Sequence, residues 1–218
     1  REISRSATEP VKVHPQEPND KTTVTMSDGA EIEVRRYGRS GGTRIIGSHG
    51  NGFAVDGYWA FWSAIPDDIE LILFDLRNHG GNPRHIRDHH RIAQFADDMN
   101  ALLIAIEARY GARTTIGLFH SVSAITSFVH ALKYGWQWDA LVVVDPPLIP
   151  SPTHPQFEFA QGFEQRISAW AADRRPDFDS PQQLEDILKK SGSRQAWLEG
   201  THGAMARSVL RKSADGSG

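Results

Sequence analysis

The chain has 218 residues, 39% hydrophobic and 23% charged, with a formal net charge of −3, the profile of a globular protein with one substantial core and room for a lid. Lys and Arg are scattered, which argues against nucleic acid as a partner, and the absence of cysteine excludes disulfides, thiolate catalysis and cysteine-ligated zinc. No apolar run is long enough to cross a bilayer and no charged start leads into an apolar stretch, so no membrane partner is expected and the expected location is the cytoplasm.

Residues 1–21 are polar, carry Pro10, Pro15 and Pro18, and are expected to form a mobile lead-in. Thr22–Met26 and Glu31–Tyr37 are short β-like runs joined through Ser27-Asp28-Gly29, a hairpin signal. Arg44–Ser48 is a predicted strand that breaks into His49-Gly50-Asn51-Gly52-Phe53, followed by an aromatic, helix-like segment over Tyr58–Ile65. The strand Glu70–Phe74 stops at Asp75. Phe95, Met99, Leu102, Leu103 and Ile106 then recur at helical spacing until Gly111. A strand over Thr114–Phe119, a helix from Val122 to about Tyr134 and a strand over Ala140–Val144 complete the alternating part.

Those strands are continuous apolar runs, so both of their faces are expected to be buried. This is the pattern of an α/β fold with a mostly parallel sheet and flanking helices. Such sheets place their sites at the carboxyl ends of the strands. The loops at His49, Asp75, Ser121 and Asp145 all leave those ends. After Pro150 no strand is predicted. Phe157–Ala172 is helix-like, Ser180-Pro181-Gln182-Gln183 opens a helix with a capping-box pattern, and Gln195–Leu198 and Ala204–Arg211 add further turns. Three regions follow: the lead-in, a core over 22–150, and a helical cap over 151–218.

The most informative stretch is Thr114–Ser123. A β-branched run ends at Ser121 and a helical pattern follows at once, which puts that serine on a sharp strand-to-helix turn with its hydroxyl pushed out above the sheet. Acyl transfer needs such a nucleophile and donors for the oxyanion. The N–H of Val122 starts the helix and points at the same spot. Gly50 and Gly52 let the first loop approach closely, so Asn51 or Gly52 is expected to supply the second donor. The bland alternative for Ser121 is a helix N-cap serine. The glycine spacing Gly47, Gly50, Gly52 does not fit a dinucleotide loop, and no cofactor is expected. His85 and His89 are four apart and suit one face of a metal site, but no carboxylate is clearly placed to complete it; a solvated polar loop, without metal, is the expectation. Asp75 and His79 are expected to brace loops. Of Tyr58, Trp59, Phe61 and Trp62, some should line an acyl-binding pocket.

Three segments together resemble the α/β-hydrolase superfamily: Ser48–Phe53 (its oxyanion loop), Phe74-Asp75-Leu76-Arg77-Asn78-His79-Gly80 (its D-x-R-x-H-G segment) and Phe119-His120-Ser121-Val122-Ser123 (its nucleophile elbow). The resemblance covers roughly residues 22–150. It implies a hydrolase or related enzyme with a serine nucleophile and no cofactor. The expected reaction is hydrolysis of a small acyl substrate, an ester, thioester or lactone, through an acyl-Ser121 intermediate, with amide hydrolysis, carbon–carbon hydrolysis and acyl transfer as the other reactions open within the resemblance. The alternative is a non-catalytic member that binds a ligand or partner. Phe119 and Ser123 stand where the elbow pattern has glycines. The resemblance also implies two further strands after the cap, carrying an acid and the catalytic histidine, and neither strand is visible. They are expected on a further C-terminal segment, with homo-oligomerisation as the other way to cover the sheet edge. Asp145 is either a loop-capping aspartate or the catalytic acid placed one strand early. His120, beside the nucleophile, is expected to pack away from it, and His202 is a weak candidate for the base.

Overall fold

The structure, a computed structural model, describes residues 12–173, 177–190 and 197–212. Among the described residues six strands form one sheet: β1 (Asp20–Thr25), β2 (Glu31–Tyr37), β3 (Arg44–Ser48), β4 (Glu70–Phe74), β5 (Thr115–His120) and β6 (Ala140–Val144). Their order is β1-β2-β4-β3-β5-β6. The hairpin β1–β2 and the pair β2–β4 are antiparallel, while β4–β3, β3–β5 and β5–β6 are parallel. The hairpin turns through Ser27-Asp28-Gly29, where Gly29 takes φ 87° and closes the turn by donating its N–H to Met26 at 2.9 Å.

Period-two alternation sorts the strands onto two cores. Ile72 and Phe74 of β4 face the larger core with α2 (Ile92–Tyr110) and α3 (Val122–Tyr134), where Phe95, Met99, Leu102 and Ile106 are buried. Leu71 and Leu73 face the other way, against Val55, Trp59 and Trp62. That second face is covered by a 3₁₀ turn over Val55–Tyr58 and one helical turn, α1 (Trp59–Trp62). The helix-like pattern expected over Tyr58–Ile65 is therefore cut short, with Pro66 following a tight turn closed by Ile65 N–H to Trp62. Gly111 ends α2 at φ 81° as its spacing predicts.

Beyond β6 the described residues form three helices: α4 (Phe157–Ala172), α5 (Pro181–Lys190) and α6 (Thr201–Val209). Ser180 caps α5 by accepting the Gln183 N–H at 3.3 Å, and Gln183 reaches back to the Asp179 N–H at 3.0 Å. α6 buries Ala204, Met205 and Ala206, with Met205 against Gly57 of the 3₁₀ turn. The expected turn over Gln195–Leu198 lies partly outside the described residues, as does the lead-in up to residue 11. Residues 12–19 run beside the fold, where Val13 approaches Gly200 and the Lys12 carbonyl accepts from Ser63.

Candidate active site

The carboxyl ends of β3 and β5 meet at the centre of the sheet, and the loops leaving them meet above it. Ser121 follows β5 with φ 53° and ψ −116°, a region that costs a non-glycine residue strain. Its N–H donates to Val144 at 2.9 Å, and its carbonyl accepts from Ile125 in the first turn of α3. An ordinary capping serine has extended backbone and bonds the helix through its side chain. Ser121 does neither: its side chain makes no cap hydrogen bond.

The elbow tolerates Phe119 because the space comes from elsewhere on the same strand face. The Phe119 ring is buried edge-on to Trp138, with centroids 5.3 Å apart. A Cβ on Gly117, two residues earlier, would stand 2.8 Å from that ring and 2.7 Å from Leu141. Ser123 locks the other side by donating to the His120 carbonyl at 2.9 Å and accepting its N–H at 3.1 Å. The glycine-free elbow thus depends on Gly117, which periodicity alone does not single out.

The first loop lies against the elbow. A Cβ on Gly50 would stand 2.8 Å from His120 Nδ1 and 3.1 Å from Ser121 Cβ, so only glycine allows this approach. The Gly50 N–H donates to Tyr58 Oη at 3.3 Å, and Tyr58 Oη lies 2.8 Å from His120 Nδ1. That chain of contacts ties the first loop to the elbow. Gly52, one of the two expected donors, gives its N–H to His79 Nε2 at 3.0 Å. Its donor is engaged, which leaves Asn51 as the loop's candidate beside Val122. Asn51 Oδ1 in turn faces His90 Nε2 at 3.2 Å.

Two buried histidines hold this arrangement. His49 Nδ1 bonds the Gly50 carbonyl at 2.7 Å and its Nε2 accepts the Leu76 N–H at 3.1 Å. His79 Nδ1 bonds the Arg77 carbonyl at 2.9 Å. Burial pushes His49 down to about 4 and His79 down to about 3, so both rings are neutral at pH 7. With both nitrogens engaged, each ring is a brace. Asp75 braces as well: it accepts the Val55 N–H at 2.8 Å and pairs with Arg35 at 2.6 Å. Asn82, which the sequence did not flag, is buried with its amide on the Asp75 and Leu76 carbonyls and its Oδ1 on the Glu33 N–H.

Asp145 leaves β6 at φ 46° and is exposed. It lies close enough to His120 to act on it electrostatically: burial depresses the His120 pKa, and the Asp145 charge opposes that. His202 sits on α6 with its ring stacked on Trp197, centroids 4.5 Å apart. Among the described residues no histidine hydrogen-bonds Ser121. A cavity of about 210 Å³ opens beside the elbow, walled by Tyr58, Phe61, Trp62, Leu118, Phe119 and His120 among others. Trp59, by contrast, is buried in the second core.

A mostly parallel sheet with flanking helices and a strained serine at the β5–α3 junction is the arrangement of an α/β hydrolase. Residues 43–215 match the family described as serine aminopeptidase, S33, and the chain belongs to that family within the α/β-hydrolase superfamily. Among solved structures, an α/β hydrolase from Novosphingobium aromaticivorans is similar at 16% identity and a TM-score of 0.69, over 90% of this chain and 66% of its own. E-2-(acetamidomethylene)succinate hydrolase is similar at 21% identity and a TM-score of 0.66, over 91% of this chain and 67% of its own. The thioesterase domain from the curacin biosynthetic pathway is similar at 13% identity and a TM-score of 0.62, over 90% and 70%. The chain thus spans about two thirds of the length of these structures. No curated protein matches it. Among the described residues no helix is long and apolar enough to cross a membrane.

Proposed function

We propose that this protein is a serine hydrolase that cleaves an ester, thioester or lactone through an acyl-Ser121 intermediate. One observation carries the reading: Ser121 holds a strained backbone at a helix N-terminus while its side chain makes no cap hydrogen bond. Strain without a capping benefit is the mark of a residue positioned for chemistry. Ser121 Oγ attacks the acyl carbon as a general base takes its proton, while the developing oxyanion takes hydrogen bonds from the N–H groups of Val122 and Asn51, with the α3 dipole adding to them. The bond to the alcohol or thiol breaks, that leaving group departs with the proton, and water then cleaves acyl-Ser121 to release the acid and restore the hydroxyl. Asp145 takes the role of the acid that orients and stabilises a protonated base. The aromatic cavity beside His120 suits the apolar part of a moderate acyl or aryl group. The thioesterase and hydrolase folds among the similar structures are consistent with this chemistry.

The second reading is a non-catalytic ligand-binding member, favoured by the lack of a described histidine on Ser121. Turnover of activated esters such as p-nitrophenyl acetate and butyrate separates the two. Ser121→Ala should remove hydrolysis while leaving the fold intact, and Asn51→Ala should cost less because its backbone donor survives. Equal turnover by the Ser121→Ala variant would refute the acyl-serine mechanism, and saturable ligand binding without turnover would establish the second reading.

A further inference from the structure

We propose that Asp28, His85 and His89 bind one zinc-like divalent transition-metal ion, which clamps the loop before α2 to the β1–β2 turn. Ser121 takes no part in this site. One ligand atom from each of the three residues lies within 4.8 Å of the others. His85 and His89 have the H-x₃-H spacing of metal-binding histidines. The carboxylate that the sequence leaves unplaced comes from the hairpin turn, 57 positions before His85 and close only in the fold.

The geometry is near a coordination shell. His89 Nδ1 is 2.7 Å from Asp28 Oδ2, and His85 Nδ1 is 3.9 Å from the same oxygen. Ligand atoms at zinc bond lengths in a tetrahedral shell stand about 3.3 Å apart, so one pair opens and the other closes by roughly 0.6 Å. The His85 Nδ1 atom is buried and has no hydrogen-bond partner. An orphaned buried nitrogen aimed at a carboxylate costs free energy in the metal-free fold. A simple His89–Asp28 hydrogen bond leaves it unexplained, and an ion between the three side chains satisfies it.

Charge also fits. Asp28 accepts from Arg77 at 2.8 Å and from the Ala30 N–H at 3.2 Å, which orients the carboxylate as metal-bound carboxylates are usually oriented. The buried Arg77 is already paired with Asp98 at 2.6 Å. One guanidinium between two carboxylates leaves a net negative charge for a cation to neutralise. Arg84 and Arg87 line the adjoining cavity but are exposed to solvent. The clamp reaches the active site through the next residue: His90 stacks on His79, centroids 5.1 Å apart, and faces Asn51.

The test is calorimetric titration of Zn²⁺ into the 218-residue protein, with Co²⁺ absorption reporting coordination. Wild type and the control His154→Ala should bind one equivalent and gain melting temperature. His85→Ala should bind roughly tenfold more weakly or worse, with its metal-free circular dichroism unchanged because its Nδ1 makes no hydrogen bond. His89→Asn serves as the second variant and should lose binding in the same way. No saturable binding by wild type, or binding that persists unchanged in His85→Ala and His89→Asn, would overturn the proposal.

Discussion

At the scale of single residues, the site is held by side chains that do no chemistry. His49 and His79 are neutral braces whose ring nitrogens are all spoken for, and their cost appears at low pH. Burial lowers His49 from 6.5 to about 4 and His79 from 6.5 to about 3. The unfolded chain therefore binds protons at these rings below pH 6.5 while the folded chain refuses them. Stability present above that pH is lost as the pH falls through this window, by about 3 kcal/mol for His49 alone. Urea denaturation at pH 7.5 and pH 5 should show a clear fall in midpoint, and His49→Gln should flatten part of it. An unchanged midpoint would mean that these rings are not buried and neutral. Gly117 belongs to the same scale. Its role was not legible in the sequence because nothing local demands it: the demand comes from the Phe119 and Trp138 rings across the strand face.

At the scale of elements, the parallel strands and the helices α2 and α3 were legible because each is a strong periodic or continuous apolar signal. The short α1 was overextended, since an aromatic run ending near a proline has helical hydrophobicity without the length to form a helix. The strained turn at Ser121 was legible as a strand-to-helix junction, and the glycine-rich loop after β3 and the D-x-R-x-H-G segment were legible as sequence motifs. What they bond was not: the engagement of Gly52 by His79 and the meeting of Asp28 with His85 and His89 are tertiary facts between distant positions. The opposite end of the sheet carries a second such fact. Arg44 on β3 is buried, bonds Glu70 of β4 at 2.7 Å and caps the C-terminus of α2 through the Gly111 and Tyr110 carbonyls. Arg113 and Arg36 lie farther from the same Glu70, at 3.3 and 3.7 Å. Arg44→Met should lower stability by about 3 kcal/mol, because it strips a buried carboxylate of its nearest partner. The double change with Glu70→Leu should recover much of the loss, and a double-mutant cycle measures the coupling.

At the scale of the molecule, the carboxyl ends of the strands carry the candidate site, and the outer side of β6 is unpaired among the described residues. Among the described residues no strand pairs with the outer edge of β6, and Val142 and Val144 are 47% and 45% exposed. Leu148 and Ile149 continue the apolar surface. An open, apolar edge invites pairing with another chain. Sedimentation of the 218-residue polypeptide should show concentration-dependent association, weakened by Val142→Lys; a monomer at every concentration would contradict this. At the centre of the sheet stands the proposed nucleophile, the strained serine above β5. Labelling with a fluorophosphonate probe, followed by peptide mapping, tests that role most directly. A single adduct is expected on the peptide containing Ser121, and none in Ser121→Ala. An unlabelled protein, or an adduct that survives in Ser121→Ala, would contradict it.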